Sequence, residues 1–433
     1  MTVPPPRHPL RFAYFRAYLA GRLTTVLAQY AMMIVLGWQA YNIARETMTT
    51  AGASAQLGLI GLAQFLPLFL LTPVTGWVAD HYDRRIITRL TLALLTLAAG
   101  LLAFATYEGW VGLPLIFAMA VVVGIARAFN GPAYGALAPN LIPREILPNA
   151  IAISSVVWQT GTSVGPALGG YAYAATPWGA YALASALFAL ALGSMMLIGK
   201  VPQPPRDLTR HPIRQMIDGL TYVRTNRLVL ATITLDLFAV LLAGATALLP
   251  VYARDILHVG SAGLGHLAAA PGIGAGAMAL WFSFRPLKNE VGLKMLGAVI
   301  LFGIATIIFG CTAFLPRGIA MEVGIGALII LGAADMISVF VRQSLVQLHT
   351  PDAMRGRVSS LSALTISASN ELGEAESGFL AALVGPVVAV IGGGIGAIII
   401  TLLWAKLFPE LRLARTFDPP DISPADKIQE KAS

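Results

Sequence analysis

The stretch ASNELGEAESG, residues 368–378, crowds Asn370, Glu371, Glu374 and Glu376 into two helical turns. On a helix Glu371 and Glu374 share a face and Glu376 points elsewhere. In apolar surroundings, neighbouring carboxyls resist being charged together, which suits a site that takes up and releases protons. A second pattern recurs along the chain: Arg22, Thr25 and Gln29; Arg127, Asn130 and Tyr134; Asp335, Ser338 and Arg342; with Thr232 and Asp236 as a shorter version. Offsets of three and seven put each trio on one helical face, as in a polar stripe lining a water-filled path.

The elements that hold these residues must cross a membrane. Apolar residues make up 57% of the 433, charged ones only 12%, about half the charged share of a soluble domain. Stretches 47–79, 146–199, 256–284 and 377–405 contain no Asp, Glu, Lys or Arg, the three glutamates lying just before the last. Each exceeds the ~20 apolar residues that span a bilayer. They lack the alternation of barrel strands, so the spans are read as helices. An ionisable group inside such a span is costly and is a functional candidate by default. Snorkelling to the headgroups is an alternative for Arg22 and Arg342, less so for the short side chains of Asp236 and Asp335.

Gly, Pro and charge punctuation places spans near 16–42, 56–79, 88–106, 112–137, 149–173 and 179–199, then near 229–251, 261–284, 293–315, 322–347, 358–381 and 384–405. The trios then fall on spans one, four and ten, with Thr232 and Asp236 on span seven. These are corresponding positions of repeated three-helix units, which predicts one shared central cavity. Pro143 and Pro351 open similar polar turns in the two halves, PREILPNAIAISS and PDAMRGRVSSLS, as expected of a duplicated transporter. The division is a six-helix bundle over 1–199, a cytoplasmic linker over 200–228, a second bundle over 229–406 and a cytoplasmic tail over 407–433. Three of the 29 Lys and Arg lie within spans, Arg45, Arg254 and Arg317 fall on one side, and all others share the side of both termini. The positive-inside rule makes that side the cytoplasm. The net charge of +8 is thus mostly a topology signal, and nucleic acid is not an expected partner. The basic amino terminus shows no small-residue cleavage signature and reads as part of an uncleaved first helix.

Other chemistries find little support. Cys311 is the single cysteine and the six histidines are dispersed, with no HExxH, so neither a metal site nor a metal-dependent membrane enzyme is expected. Lys200 follows Gly199 but lacks the upstream glycine of a phosphate-cradling loop, which disfavours an ATP-driven pump. No cofactor is expected.

Two further stretches read as gating elements. Gly76, Asp80, Arg84 and Arg85 set an acid at the end of span two before a basic pair, a composition that can clamp one side shut. Gly161, Gly165, Pro166 and Gly169 in span five combine close-packing glycines with a bending proline; helix packing alone is the alternative account of those glycines.

On these motifs the chain resembles the major facilitator superfamily along nearly its whole length. Gly76, Asp80, Arg84 and Arg85 resemble that superfamily's signature between helices two and three. Arg127-Ala-Phe-Asn130-Gly131 resembles its helix-four signature, with Asn where Gln is common, and 161–170 resembles the helix-five signature associated with antiporters. LGWQAY from Leu36, LDLFAVLLAGATALLPVYARDIL from Leu235, TPDAMRGRV from Thr350, ASNELGEAESG and LFPELR from Leu407 are similar to the enterobactin-exporter-like branch. The resemblance implies an all-α integral membrane protein with twelve transmembrane helices in two six-helix pseudo-symmetric bundles. It implies a multi-pass location in a bacterial cytoplasmic membrane, Asp80 and the basic pair locking the outward-facing state, and Arg127 influencing proton coupling. The branch reads GLGxLRAAP in span eight where this chain has GLGHLAAAP, so His266 and Ala268 replace an apolar residue and an arginine. His266 is either an added titratable group in the cavity or a satisfied buried histidine.

The function expected is proton-coupled efflux of a small amphipathic molecule, siderophore or drug-like, by a monomeric carrier. Asp236, Asp335, Glu371, Glu374 and Arg127 would carry the coupling. Arg22, Gln29, Asn130, Tyr134, Ser338, Arg342, Asn370 and His266 would line the cavity. Export of a lipid-like substrate, import or facilitated diffusion of an organic solute, and a channel or receptor remain open alternatives; a membrane-embedded enzyme is the remote one.

Overall fold

A computed structural model describes residues 8–135, 137–143, 146–200, 212–285 and 287–417. Six long helices form the first half: α1 (Ala13–Thr47), α2 (Thr50–His81), α3 (Arg84–Tyr107), α4 (Leu113–Gly135), α5 (Leu147–Ala175) and α6 (Pro177–Met196). A linker helix, Pro212–Thr225, leads to the second: α7 (Arg227–Leu242), α8 (Gly260–Phe284), α9 (Val291–Cys311), α10 (Arg317–Leu348), α11 (Asp352–Val384) and α12 (Pro386–Leu407). The expected all-helical membrane fold is borne out. Among the described residues, ten helices are long and apolar enough to cross a bilayer. The other two long ones are α5, rich in Ser, Thr and Gly, and α11, which carries the three glutamates.

Helix ends follow local chemistry. Asp83 caps α3, accepting from the Arg85 amide at 3.0 Å, and Asn226 caps α7 by accepting from the Val229 amide at 3.1 Å. The direct turn from α11 into α12 needs Gly385, whose φ is +90°, a value costly for side-chain-bearing residues. Span seven departs from the continuous helix expected over 229–251. Its α-helix stops at Leu242 and continues to Ile256 as short 3-10, α and π turns. At the break, Gly244 passes so close to α11 that a Cβ would meet Gly373 O at 2.6 Å, a tertiary contact absent from any local pattern.

Within the first half α1 packs on α5 and α6, α3 on α4 and α6, and α2 on α4; in the second α10 packs on α8 and α9, α9 on α12, and α7 on α11 and α12. The halves meet along two seams, α2 with α11 and α5 with α8. One apolar core lies wholly in the first half, and two others are built from the second half and its linker helix. A fourth joins both, packing Trp38, Tyr41 and Leu57 with Leu248, Leu249 and Tyr252 at the end where α1 stops. Leu97, Phe284 and Leu383 are among the most exposed side chains on the outside of the bundle, as a lipid-facing surface requires. The linker helix docks on the second half, with Arg357 Nη1 3.1 Å from Asp218 Oδ2. The tail returns to that half as far as residue 417, where the Gly292 amide donates to Ala414 O at 3.0 Å; residues 418–433 lie outside the described residues.

The α8–α10 contact is backbone against backbone: a Cβ on Gly332 would lie 1.9 Å from Pro271 O, and one on Gly274 1.9 Å from Ile329 O. Gly332→Val is therefore expected to lower the thermal unfolding midpoint in nanodiscs, at an overpacking cost of about 1–3 kcal/mol or more. Gly297→Ala, where a Cβ meets nothing within 4 Å, serves as control and should not lower it.

Candidate functional site

Between the two halves lies a cavity of about 500 Å³, walled by both. α1 contributes Gln29 and Tyr30, α2 Gln64, α4 Arg127, α10 Asp335, and α11 Asn370, Glu371 and Glu374. Met33, Ile60, Ala268, Phe302 and Pro166 supply apolar wall. A cavity of this size, mostly apolar with a few convergent polar groups, is what a drug-sized ligand needs.

One ion pair bridges the halves inside it. Arg127 Nη2 lies 2.8 Å from Glu371 Oε1, and Arg127 Nη1 donates to Gln64 Oε1 at 3.4 Å. Glu371 is 3% exposed, and its second oxygen, Oε2, has no hydrogen-bond partner among the described residues. Glu374 stands one turn further along α11, close enough to interact electrostatically with both Glu371 and Arg127. α2 can come this near because it presents glycine: a Cβ on Gly61 would meet the Glu374 Cβ at 3.2 Å, and one on Gly58 the Ala375 carbonyl at 2.8 Å. Asp335 faces the same cavity from α10.

The other expected polar residues do not join them. Asp236 and Arg342 form a separate pair inside the second half, Nε to Oδ1 3.4 Å, both almost wholly buried. Ser338, one turn before Arg342 on α10, is buried with its hydroxyl unpartnered among the described residues. In the first half the Arg22 guanidinium lies over the rings of Tyr134, at 5.7 Å, and Trp158, at 5.3 Å. The Tyr134 hydroxyl donates to Tyr18 O at 3.0 Å, and Asn130 is buried with its Oδ1 unpartnered among the described residues. None of these six borders the cavity. His266 does not border it either: it is exposed on the α5–α8 seam and bonds the Tyr171 hydroxyl. The residue two further on, Ala268, is the one on the cavity wall.

Sequence reasoning missed a cluster sealing one end of the site. Asp255 Oδ2 accepts from the Tyr41 hydroxyl at 2.6 Å and from Arg45 Nε at 2.8 Å, while Arg254 Nη1 donates to Asn42 Oδ1 at 2.6 Å. Every one of these bonds joins α1 to the end of span seven, directly above the mixed apolar core. Arg45 and Arg254 had registered only as scarce charges on one side; the signal was that both, with an acid, close corresponding spans of the two halves.

Of the expected gating residues, the side chains of Gly76 and Asp80 lie outside the described residues. Arg85 Nη2 pairs with Asp83 Oδ2 at 2.6 Å, and Arg85 Nη1 reaches Ile198 O at 3.3 Å. That arginine holds the Asp83 carboxyl below the usual carboxylate range, despite partial burial. Arg84 opens α3 next to it. In α5, Gly161, Gly165 and Gly169 are the positions where α1 approaches most closely, with Val26, Tyr30 and Ala31 within 3 Å of where a Cβ would stand. Pro166 lies on the cavity wall between them.

Comparisons with known proteins agree with this architecture. The family model described as transmembrane secretion effector matches residues 6–431. The enterobactin exporter EntS of Escherichia coli O1:K1 / APEC is 26% identical over 425 residues, covering 95% of each chain, and that of Citrobacter koseri is 27% identical over 424 residues with the same coverage. Among solved structures, a D-xylose–proton symporter superposes with a TM-score of 0.71 at 15% identity, over 92% of this chain and 99% of that one. An inward-facing, occupied bacterial homologue of the human lysosomal transporter Spinster gives 0.70 at 14%, over 92% and 97%. These likenesses show the fold, and the relatives and neighbours are transporters rather than enzymes.

Removing one member of a buried ion pair strands the other. Arg342→Met is expected to destabilise the protein by about 3–5 kcal/mol, and Asp236→Leu in the same chain to restore most of the loss. Thermal unfolding of the single and double variants checks this; equal midpoints for the two would show that the pair is not coupled.

Proposed function

The chain belongs to the transmembrane secretion effector family, within the major facilitator superfamily, and on that premise we propose that it is a proton-coupled exporter of a small amphipathic molecule, siderophore or drug-like. The observation that carries this is the cavity between the halves, where Glu371, Glu374 and Asp335 of one half face Arg127 of the other. Buried carboxylates beside a ligand-sized void are suited to exchanging a proton for a substrate.

The cycle follows from which end is sealed. With both termini in the cytoplasm of a bacterium, the Tyr41, Arg45 and Asp255 cluster and the mixed apolar core lie at the periplasmic end. On this reading a closed periplasmic end belongs to the state that loads substrate from the cytoplasm. Rocking of the halves would part that cluster and close the cytoplasmic end. There Asp80, Arg84 and Arg85, with Gly76, would form the opposing lock, and Gly161, Gly165 and Gly169 would let α5 slide on α1. Protons arriving from outside neutralise Glu374 or Asp335 and release the substrate. One charge crossing 100 mV supplies about 2.3 kcal/mol, enough to bias such an exchange. The reading requires neither ATP nor a cofactor, and one monomer contains both halves.

Export is favoured over import by the EntS relatives, named as exporters, and by the helix-five glycine and proline pattern. Proteoliposomes carrying an internal pH-sensitive dye test the reading against catecholate siderophores, lipophilic cations and amphipathic anions. Substrate-driven proton movement is expected, and Glu374→Gln or Asp335→Asn should reduce it at least about tenfold, since each removes a group that must take up the proton. Saturable flux that persists in both variants would make the protein a facilitator.

A further inference from the structure

The charges that reach the cavity are unequal. Its wall carries one cation, Arg127, and three carboxyls, Asp335, Glu371 and Glu374. Arg127 is engaged by Glu371 at 2.8 Å, so two carboxyls on different helices, α10 and α11, face the void without a basic partner of their own among the described residues. Four other arginines near the spans' inner faces are occupied elsewhere: Arg342 with Asp236, Arg22 over Tyr134 and Trp158, and Arg45 and Arg254 in the end cluster. His266, the expected extra titratable group, lies outside the cavity. A second observation points to a ligand of the same sign: Glu371 is 3% exposed, borders the cavity, and its Oε2 has no partner among the described residues.

We infer that the cavity is selective for an amphipathic organic cation. This rests on the carrier reading above and adds the substrate's charge. An anion would have to sit beside two carboxyls in a low-dielectric space, where like charges repel strongly. A cation would take the place of the protons. The positive charge sits between α10 and α11, while Met33, Ile60 and Phe302 accept the apolar body. Tyr30 is the remaining titratable group on the wall; as a neutral phenol it can stack on the cation or accept its hydrogen bond. Protons and substrate then compete for the same oxygens. Exchange of one monovalent cation for one proton moves no net charge, and exchange for two protons moves one charge inward.

Tetraphenylphosphonium and tetraphenylborate share one shape and carry opposite charge, so they isolate the effect of sign. Equilibrium binding of each to the full chain in nanodiscs is measured at mildly alkaline and mildly acidic pH, with empty nanodiscs subtracted. The cation is expected to bind at least about tenfold more tightly than the anion at alkaline pH and to weaken by a similar factor on acidification. Glu374→Gln and Asp335→Asn should each weaken it, while Glu374→Asp, which keeps the charge, should retain it. Binding of the anion as tightly as the cation, or of neither probe, overturns the inference; proton-coupled flux of another compound would then leave the carrier reading standing. Cation binding with this pH dependence, but no movement of the cation under a pH gradient, supports the inference and counts against the carrier reading.

Discussion

A charge held inside a bilayer is tolerated only where another charge, water or a ligand answers it, and that constraint organises this protein. The carboxyls of α11 and α10 are placed where two halves meet around a cavity, a position where an opposite charge from the other half, water or a ligand can answer them. Arg127 crosses from the first half to meet Glu371, while the pair inside the second half, Asp236 and Arg342, is shut away from the void. The first pair can be separated by a movement of the halves; the second belongs to one rigid bundle.

The same constraint explains the small residues along the seams. Without a hydrophobic driving force between helices in lipid, association depends on close packing. Glycine supplies it where the halves meet: Gly58 faces Gly378 across α2 and α11, and Gly170 faces Gly265 across α5 and α8. Along the α5–α8 seam, Gln159 Nε2 also donates to Gly272 O at 3.3 Å, and Tyr171 bonds His266. The specific cross-links concentrate at the end where α1 and span seven finish, with Asp255 drawing in Tyr41 and Arg45. The halves are thus joined by close-packed glycine seams and, at one end, by a polar latch.

Much of this was legible in the sequence, for a physical reason: in a membrane, apolar run length sets the elements and stray charge marks the sites. The helices lie where the runs predicted, and Gln29, Arg127, Asp335, Asn370, Glu371 and Glu374 reach one cavity. The stripes were over-read at their ends. Asp335 and Arg342 share a face of α10, yet seven residues separate them by about 10 Å along the axis, enough to put one beside the cavity and the other in a closed core. His266 was singled out as a departure from the branch's pattern, and a substitution does not say which face of a helix that is apolar on every side the new side chain takes; it lies outside the cavity, against Tyr171. The break in span seven and the latch at Asp255 depend on contacts between residues about 130 and 210 apart in sequence, Gly244 with Gly373 and Asp255 with Arg45, which no local pattern records.

The central claim is that protons entering the cavity change how the halves meet. Distances between spin labels at Thr47 and Arg317, both exposed near the latch, test it most directly in a chain whose Cys311 is replaced by Ser. In proteoliposomes the account predicts two distance populations, the longer one growing on acidification, and a proportion that no longer responds to pH once Glu374 is glutamine and Asp335 asparagine. A single distance, unchanged by pH and by those substitutions, would contradict it.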